Sequence, residues 1–271
     1  MGKTMFWGGV TIVLIYTALP WILTRMLSIG VFRKGTVRGK IALTFDDGPD
    51  PVYTPLLLDL LRRHRIKATF FVLGSKAERY PDLVARIHAE GHQIGVHNYT
   101  HWSNWLLTPR SVRRKQVERS SEIVERIIGV RPKYYRPPWG ILNLFDLWLL
   151  RNYKIVLWSV MPCDWSSRVG VARLERRMLK RLSDGDIVLL HDSGDTYGAD
   201  RDAPAHMLAA LERVVSQFSA KGLECVRVDE MYEAAEAMKK YQISRMKKLV
   251  LAVWMMWEWC FERLFHVEPI D

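Results

Sequence analysis

"LTFDDGPD", residues 43–50, sets two adjacent aspartates at the end of an apolar, β-type run. Gly48 and Pro49 follow and impose a turn. Two like charges placed side by side repel each other unless something neutralises them. A strand ending in such a pair, just before a turn, points to a site rather than to packing.

Outward from this stretch, β-type runs alternate with amphipathic helical stretches. "KIALTF" reads as a strand, and a helix over Tyr53–His64 carries Leu57, Leu60 and Leu61 on one face. "KATFFVLG" follows, then a helix over Pro81–Glu90, the strand "HQIGVHN" and a polar helix over Pro109–Ile128. "PKYYR", a helix over Leu144–Asn152, "KIVLWSV", a helix over Val171–Leu182 and "GDIVLLH" continue the pattern. A helix over Ala205–Ala220 and "LECVRV" complete it. This alternation predicts an α/β fold with a parallel sheet and crossover helices. Six or seven such units favour a (β/α) barrel of about seven parallel strands over an open sheet.

Polar groups recur where these strands end. Asp46 and Asp47 follow "IALTF", His97 and His101 follow "HQIGV", Arg136 follows "PKYY", Asp164 and Trp165 lie beyond "IVLWSV", and His191 and Asp192 follow "DIVLL". The carboxyl ends of barrel strands are where active sites are built. Two histidines four residues apart, turning helically, with a carboxylate suit a divalent metal. One aspartate could ligate it while the other takes a proton from water, and the cation would relieve their mutual repulsion. His191 is the candidate acid, Asp164 could orient or charge it, and Arg136 could hold the base ionised. His64, His88, His92, His206 and His266 fall in helical or loop contexts without evident partners and read as structural or exposed.

The chain has 271 residues, 49% of them hydrophobic, enough for a sizeable core. A net charge of +11 favours anionic surroundings such as phospholipid head groups or cell-wall polymers. No nucleic-acid-binding signature is present. The 3 cysteines are far apart and suggest neither a disulfide framework nor a thiolate zinc site.

Residues 5–24, "MFWGGVTIVLIYTALPWILT", contain no charge, carry Trp7 and Trp21 near their ends, and match the roughly 20 residues that cross a bilayer. With no A-x-A cleavage site after it, the segment reads as a retained single-pass anchor. "KKLVLAVWMMWEWCFERLF", residues 247–265, has too short an apolar run to span and reads as an amphipathic helix on a membrane surface or on the main domain. These features divide the chain into an anchor (1–30), a main domain (38–235) and an amphipathic extension (243–271).

The motifs together resemble the polysaccharide deacetylases of the NodB-homology, carbohydrate esterase family 4 type. "TFDDGP" (44–49), "HNYTH" (97–101), "RPPWG" (136–140), "DW" (164–165) and "LLH" (189–191) follow the family's order, and "VRVDEM" resembles its closing strand. The resemblance implies a distorted (β/α) barrel and removal of N-acetyl groups from amino sugars of peptidoglycan, chitin or a related polymer. It implies Asp46 as base, with Arg136 orienting it. Asp47, His97 and His101 would be ligands to a divalent metal, zinc first, with Co2+, Ni2+ or Mn2+ as alternatives. Asp164 would tune the acid His191. The Trp139 backbone N–H would stabilise the oxyanion, and Trp165 and Leu189 would line the acetyl pocket. Three positions depart from the family pattern: Asn98 for Ser or Thr, Trp139 for Tyr, and Met161 for an Asp, which removes a polar contact expected beneath the site.

The expected partners are an acetylated glycan and membrane lipid, with no nucleic acid and no obligate protein partner. Arg25, Arg33, Lys34, Arg38 and Lys40 follow the anchor and only Lys3 precedes it, which by charge alone favours a cytoplasmic domain. The location of the polymer favours the opposite, a domain outside the cytoplasm, and that is the expectation adopted. The alternatives are an O-acetyl esterase or other amide hydrolase on the same scaffold, and a glycan-binding module without turnover.

Overall fold

The computed structural model describes residues 2–265. Eight strands are present among them: β1 (Val31–Phe32), β2 (Lys40–Asp46), β3 (Thr69–Val72), β4 (Gln93–Val96), β5 (Tyr134–Tyr135), β6 (Lys154–Val156), β7 (Ile187–His191) and β8 (Glu224–Cys225). The first seven form one parallel path in the order β1-β6-β5-β4-β3-β2-β7, and β8 pairs with the start of β2. The two ends of this path approach each other. Val160, just beyond β6, bridges to Val188 of β7, and Leu189 N–H donates to the Val160 carbonyl at 2.9 Å. A second isolated bridge pairs Lys34, just beyond β1, with Asp186, so the sheet is a curled half-barrel joined by isolated bridges rather than by a full ladder.

β2 is the central strand, buried from Ile41 to Asp46. Such unbroken burial is usual where a parallel strand is covered on both faces. The helix Tyr53–Arg63 buries Leu57, Leu58, Leu60 and Leu61 against the sheet. Each such side chain contributes about 1.5–3 kcal/mol relative to exposure. Asp50 caps this helix, its Oδ1 accepting from the N–H groups of Val52 and Tyr53 at 2.8 and 2.9 Å. The turn that ends "DDGPD" thus starts the first crossover helix.

The expected strands and helices are present but shorter. β5 and β8 have two residues each; β5 ends where Arg136 enters the polar cluster, and β8 pairs only with the first residues of β2. The stretch expected as a helix over Leu144–Asn152 is helical only over Asp146–Leu149. Asn143 lies just ahead of it, its Oδ1 accepting from the N–H groups of Phe145 and Asp146 in the manner of a cap. Two elements were not legible. β1 is too short for a pattern, and Gly74–Arg79 forms a helix where "LG" reads as a strand end.

The helix Gly2–Trp21 continues through a π-helical turn, Ile22–Met26, and Phe6–Met26 is long and apolar enough to cross a membrane. The chain divides into two compact units, residues 1–231 and 232–271, the second beginning within the helix Val228–Phe265. The expected amphipathic face of residues 243–271 involves side chains at 248–253 and 255–265 that the structure does not describe. Residues 266–271, with His266, lie outside the described residues altogether.

Candidate active site

β2 and β7 are neighbours, with Asp46 opposite His191. β4 ends at Val96, one residue before His97, and β5 ends at Tyr135, one residue before Arg136. All the polar clusters named from the sequence therefore meet at the carboxyl edge of the sheet. They open on a pocket of about 220 Å3 lined by Asp46, Asp47, His97, His101, Trp139, Trp165, Leu189 and His191, among others.

Adjacent strand residues point to opposite faces, yet both aspartates reach this pocket. The turn imposed by Gly48 and Pro49 comes one residue too late to account for this. Instead Asp47 itself adopts a left-handed backbone, φ 74°, immediately after the last strand residue. Gly48 serves a different need. A Cβ there would collide with the Asp192 carboxylate, so only glycine fits.

Asp46 is 2% exposed and its Oδ1 accepts from Arg136 Nη1 at 2.7 Å. The fully buried guanidinium also donates to Thr44 Oγ1 and to the carbonyls of Val156 and Leu157. It lies 4.2 Å from the Phe71 ring centroid. Burial pulls the Arg136 pKa down, with Asp46 opposing that shift. The planar fork is thus fixed at several points, and it holds one oxygen of Asp46.

Asp47 Oδ1 lies 3.3 Å from Nε2 of His97 and 3.3 Å from Nε2 of His101, while its Oδ2 accepts from Thr196 Oγ1 at 2.6 Å. His97 Nδ1 donates to the Arg136 carbonyl at 2.7 Å, which leaves Nε2 facing the pocket. Burial opposes the charge on Asp47, but His97, His101 and His191 outweigh it and hold the carboxyl well below the usual range. Burial pushes the His101 pKa down to about 4. A charged carboxylate and a neutral imidazole are the forms that bind a metal. The ligand atoms of Asp47, His97 and His101 lie within 4.8 Å of one another, and the buried Asp47 Oδ1 has no hydrogen-bond partner. The donor set fits a small divalent cation.

The two histidines are brought together by a loop, not by the helical turn expected from their spacing. Asn98 stands in the left-handed region, φ 65°, and its side chain donates to the Trp102 carbonyl and to Asn104 Oδ1. Gln116 Oε1 accepts from the N–H groups of Tyr99 and Thr100. Asn tolerates that backbone better than Ser or Thr would.

Opposite this cluster, Asp164 grips His191 twice. Its Oδ1 lies 2.9 Å from His191 Nδ1, and its Oδ2 accepts the His191 backbone N–H at 2.7 Å. Burial disfavours the imidazolium, but the charge and hydrogen bond of Asp164 prevail and raise the pKa to about 9. The Trp165 ring stands edge-on to His191, centroids 5.8 Å apart, and Leu189 is buried beneath the pocket. Trp139 adopts φ 55°, and its ring packs on His101 with centroids 4.3 Å apart.

Several features were missed. Met161 is 38% exposed and lines the pocket wall rather than lying beneath the site. Thr196 and the 89%-exposed Tyr197, on the loop after β7, belong to the pocket. Trp102 and Trp105 do not line it, and Trp105 donates to the Leu142 carbonyl. Three histidines read as partnerless have partners: His64 meets Glu212, His92 Nδ1 accepts from Ala68 N–H, and His206 lies against the Ser167 carbonyl.

A curled parallel sheet with a His–His–Asp cluster beside an arginine-held carboxylate and an aspartate-held histidine defines a class of barrel hydrolase sites. Residues 33–155 match the family model for polysaccharide deacetylase. The chain is 36% identical over 206 residues to a peptidoglycan-N-acetylglucosamine deacetylase of Bacillus cereus, covering 74% of this chain and 71% of that one. It is 36% identical over 195 residues to the peptidoglycan-N-acetylmuramic acid deacetylase PdaC of Bacillus subtilis, covering 71% of this chain but 38% of that longer protein. A crystal structure of a peptidoglycan N-acetylglucosamine deacetylase in complex with 4-naphthalen-1-yl-N-oxidanyl-benzamide superposes with a TM-score of 0.69 at 34% identity. That superposition covers 77% of this chain and 95% of the other. The chain belongs to the polysaccharide deacetylase family.

Proposed function

We propose that the protein is a metal-dependent hydrolase removing N-acetyl groups from amino sugars of a cell-envelope polysaccharide, peptidoglycan or a chitin-like polymer. One observation carries this reading: the Asp47–His97–His101 cluster, the Asp46–Arg136 pair and the Asp164–His191 pair share one pocket.

Asp47, His97 and His101 would hold a divalent cation, zinc first. When bound, it would acidify the attacking water and polarise the acyl oxygen. Asp46 is the base. Its Oδ1 is committed to Arg136, and it takes the water's proton on Oδ2. The Trp139 N–H faces the charge that develops on the acyl oxygen. His191, charged through Asp164, protonates the leaving amine, and Asp164 keeps its Nδ1 proton in place so that Nε2 delivers the proton. Trp165 and Leu189 exclude water around the acetyl methyl group.

The anchor (1–30), the catalytic domain (38–235) and the extension (243–271) make this a single-pass membrane protein. Its catalytic domain lies outside the cytoplasm, where envelope polymers are found. The long apolar segment Phe6–Met26 supports the anchor. Acetate release from chitooligosaccharide and from peptidoglycan by the full chain tests the activity. Release from both or either supports it. Release only from O-acetylated xylan would replace it with an esterase, and no release from any acetylated glycan with metal bound would leave a binding module. Protease treatment of intact cells tests topology, and protection of the main domain would overturn it.

A further inference from the structure

The anchor segment reaches into the site. The π-helical turn Ile22–Met26 buries Thr24, which is 1% exposed, and turns Arg25 toward the pocket loop. Arg25 Nη2 donates to the Trp139 carbonyl at 3.2 Å. Its guanidinium lies 4.2 Å over the Trp158 indole, and that indole also faces the Arg136 guanidinium at 5.7 Å. Arg33 in turn donates to the Arg25 carbonyl. A Cβ on Gly140 would collide with the Arg25 guanidinium and with Trp158. The glycine of "RPPWG" is therefore needed for this contact as well as for its own φ of 66°.

The loop that Arg25 holds is unusual. Trp139 and Gly140 are both left-handed, at φ 55° and 66°. A bulky residue keeps that backbone only where its surroundings enforce it. The Trp139 carbonyl shares its peptide plane with the Gly140 N–H, so holding it restrains ψ at Trp139 and steadies the left-handed turn that seats the Trp139 ring on His101.

We propose that Arg25, at the end of the anchor, is a positioning residue of the active site that holds the Trp139 turn in its working geometry. This rests on the reading above, in which the Trp139 N–H faces the developing charge. It requires the anchor to stay on the mature chain, because a soluble domain cut beyond Met26 lacks the contact.

The test uses the full chain in membranes or detergent, with the variants Arg25→Ala, Arg25→Lys, Lys34→Ala and Asp46→Asn. Lys34→Ala removes a separate contact of the segment that follows the anchor, from Lys34 Nζ to the Asp186 carboxylate at 2.8 Å. Misplacing a positioned group typically costs about tenfold or more, so Arg25→Ala is expected to lower kcat about tenfold with KM within about twofold. Arg25→Lys, which can reach the carbonyl but cannot stack as a plane, recovers part of kcat. It also reports the effect if the alanine variant does not fold. Lys34→Ala leaves kcat unchanged. Wild-type kcat in Arg25→Ala overturns the proposal, as does an equal loss in the Arg25 and Lys34 variants that tracks their unfolding midpoints. An intact mass showing a mature chain that begins after Arg25 also overturns it. If Asp46→Asn is inactive while Arg25→Ala is normal, only the Arg25 proposal falls. Full activity in Asp46→Asn removes both it and the catalytic reading.

Discussion

Arg136 Nη1 lies 2.7 Å from Asp46 Oδ1, and both groups are buried. The pair fixes one oxygen of the carboxylate while the residue lines the pocket. Breaking such a buried pair costs about 3–5 kcal/mol, so Arg136→Ala should lower the unfolding free energy by that order. Arg136→Lys keeps the charge but not the fork that meets Thr44, Val156 and Leu157. It should retain more stability, yet lose about 10²-fold in kcat/KM because Asp46 is no longer aimed. Denaturant unfolding and initial rates on the two variants separate these effects.

The His191–Asp164 contact sets the alkaline limit. The acid must carry its proton, and its pKa stands near 9, so activity should fall as pH rises through about 9. Asp164→Asn removes the charge that raises this pKa, and the alkaline limb should move down by about 1–2 units. The same group makes stability pH-dependent. Its pKa is raised above the ordinary 6.5, so its contribution is complete below 6.5 and is lost as pH climbs through about 9. A pH–rate profile and unfolding midpoints between pH 6 and 10 check both.

Asp47, His97 and His101 should bind one divalent ion. His101→Ala and Asp47→Asn should each lose metal after dialysis, measured by elemental analysis on the full chain. A chelator should abolish acetate release, and added zinc should restore it. Full activity in metal-free protein would contradict this account.

Gly48→Ala should be destabilising although it adds one methyl group. The added Cβ would meet the buried Asp192 carboxylate. Overpacking of this kind costs about 1–3 kcal/mol, and calorimetry on the variant measures it.

Tyr197 is nearly fully exposed at the pocket mouth, with no structural task. Tyr197→Ala should leave the unfolding midpoint unchanged and raise KM for an oligosaccharide a few-fold, the loss expected for one aromatic contact of about 0.5–1.5 kcal/mol.

The sheet and the gathering of polar groups at its edge were legible because each polar cluster follows an apolar strand, and parallel strands deliver their ends to one edge. What could not be read was local backbone. Asp47, Asn98 and Trp139 all take left-handed conformations; Asp and Asn merely tolerate this backbone, and nothing in the sequence says which residue adopts it, yet these, rather than Gly48 or a helical turn, aim the site. The loop carrying Thr196 and Tyr197 has no period, so only the fold shows that it closes the pocket. Arg25 lies 114 residues from its partner Trp139, and no short-range signal connects them. Charge counting treated it as one of five cations following the anchor.

The division of labour between the two aspartates is tested most directly in one variant. Asp46→Asn, purified as the full chain, should bind zinc as the wild type does, since Asp47 and the two histidines remain. Its acetate release from chitooligosaccharide should fall by about 10²–10⁴-fold, the usual share of a general base. Wild-type acetate release by a zinc-loaded Asp46→Asn protein would contradict the account.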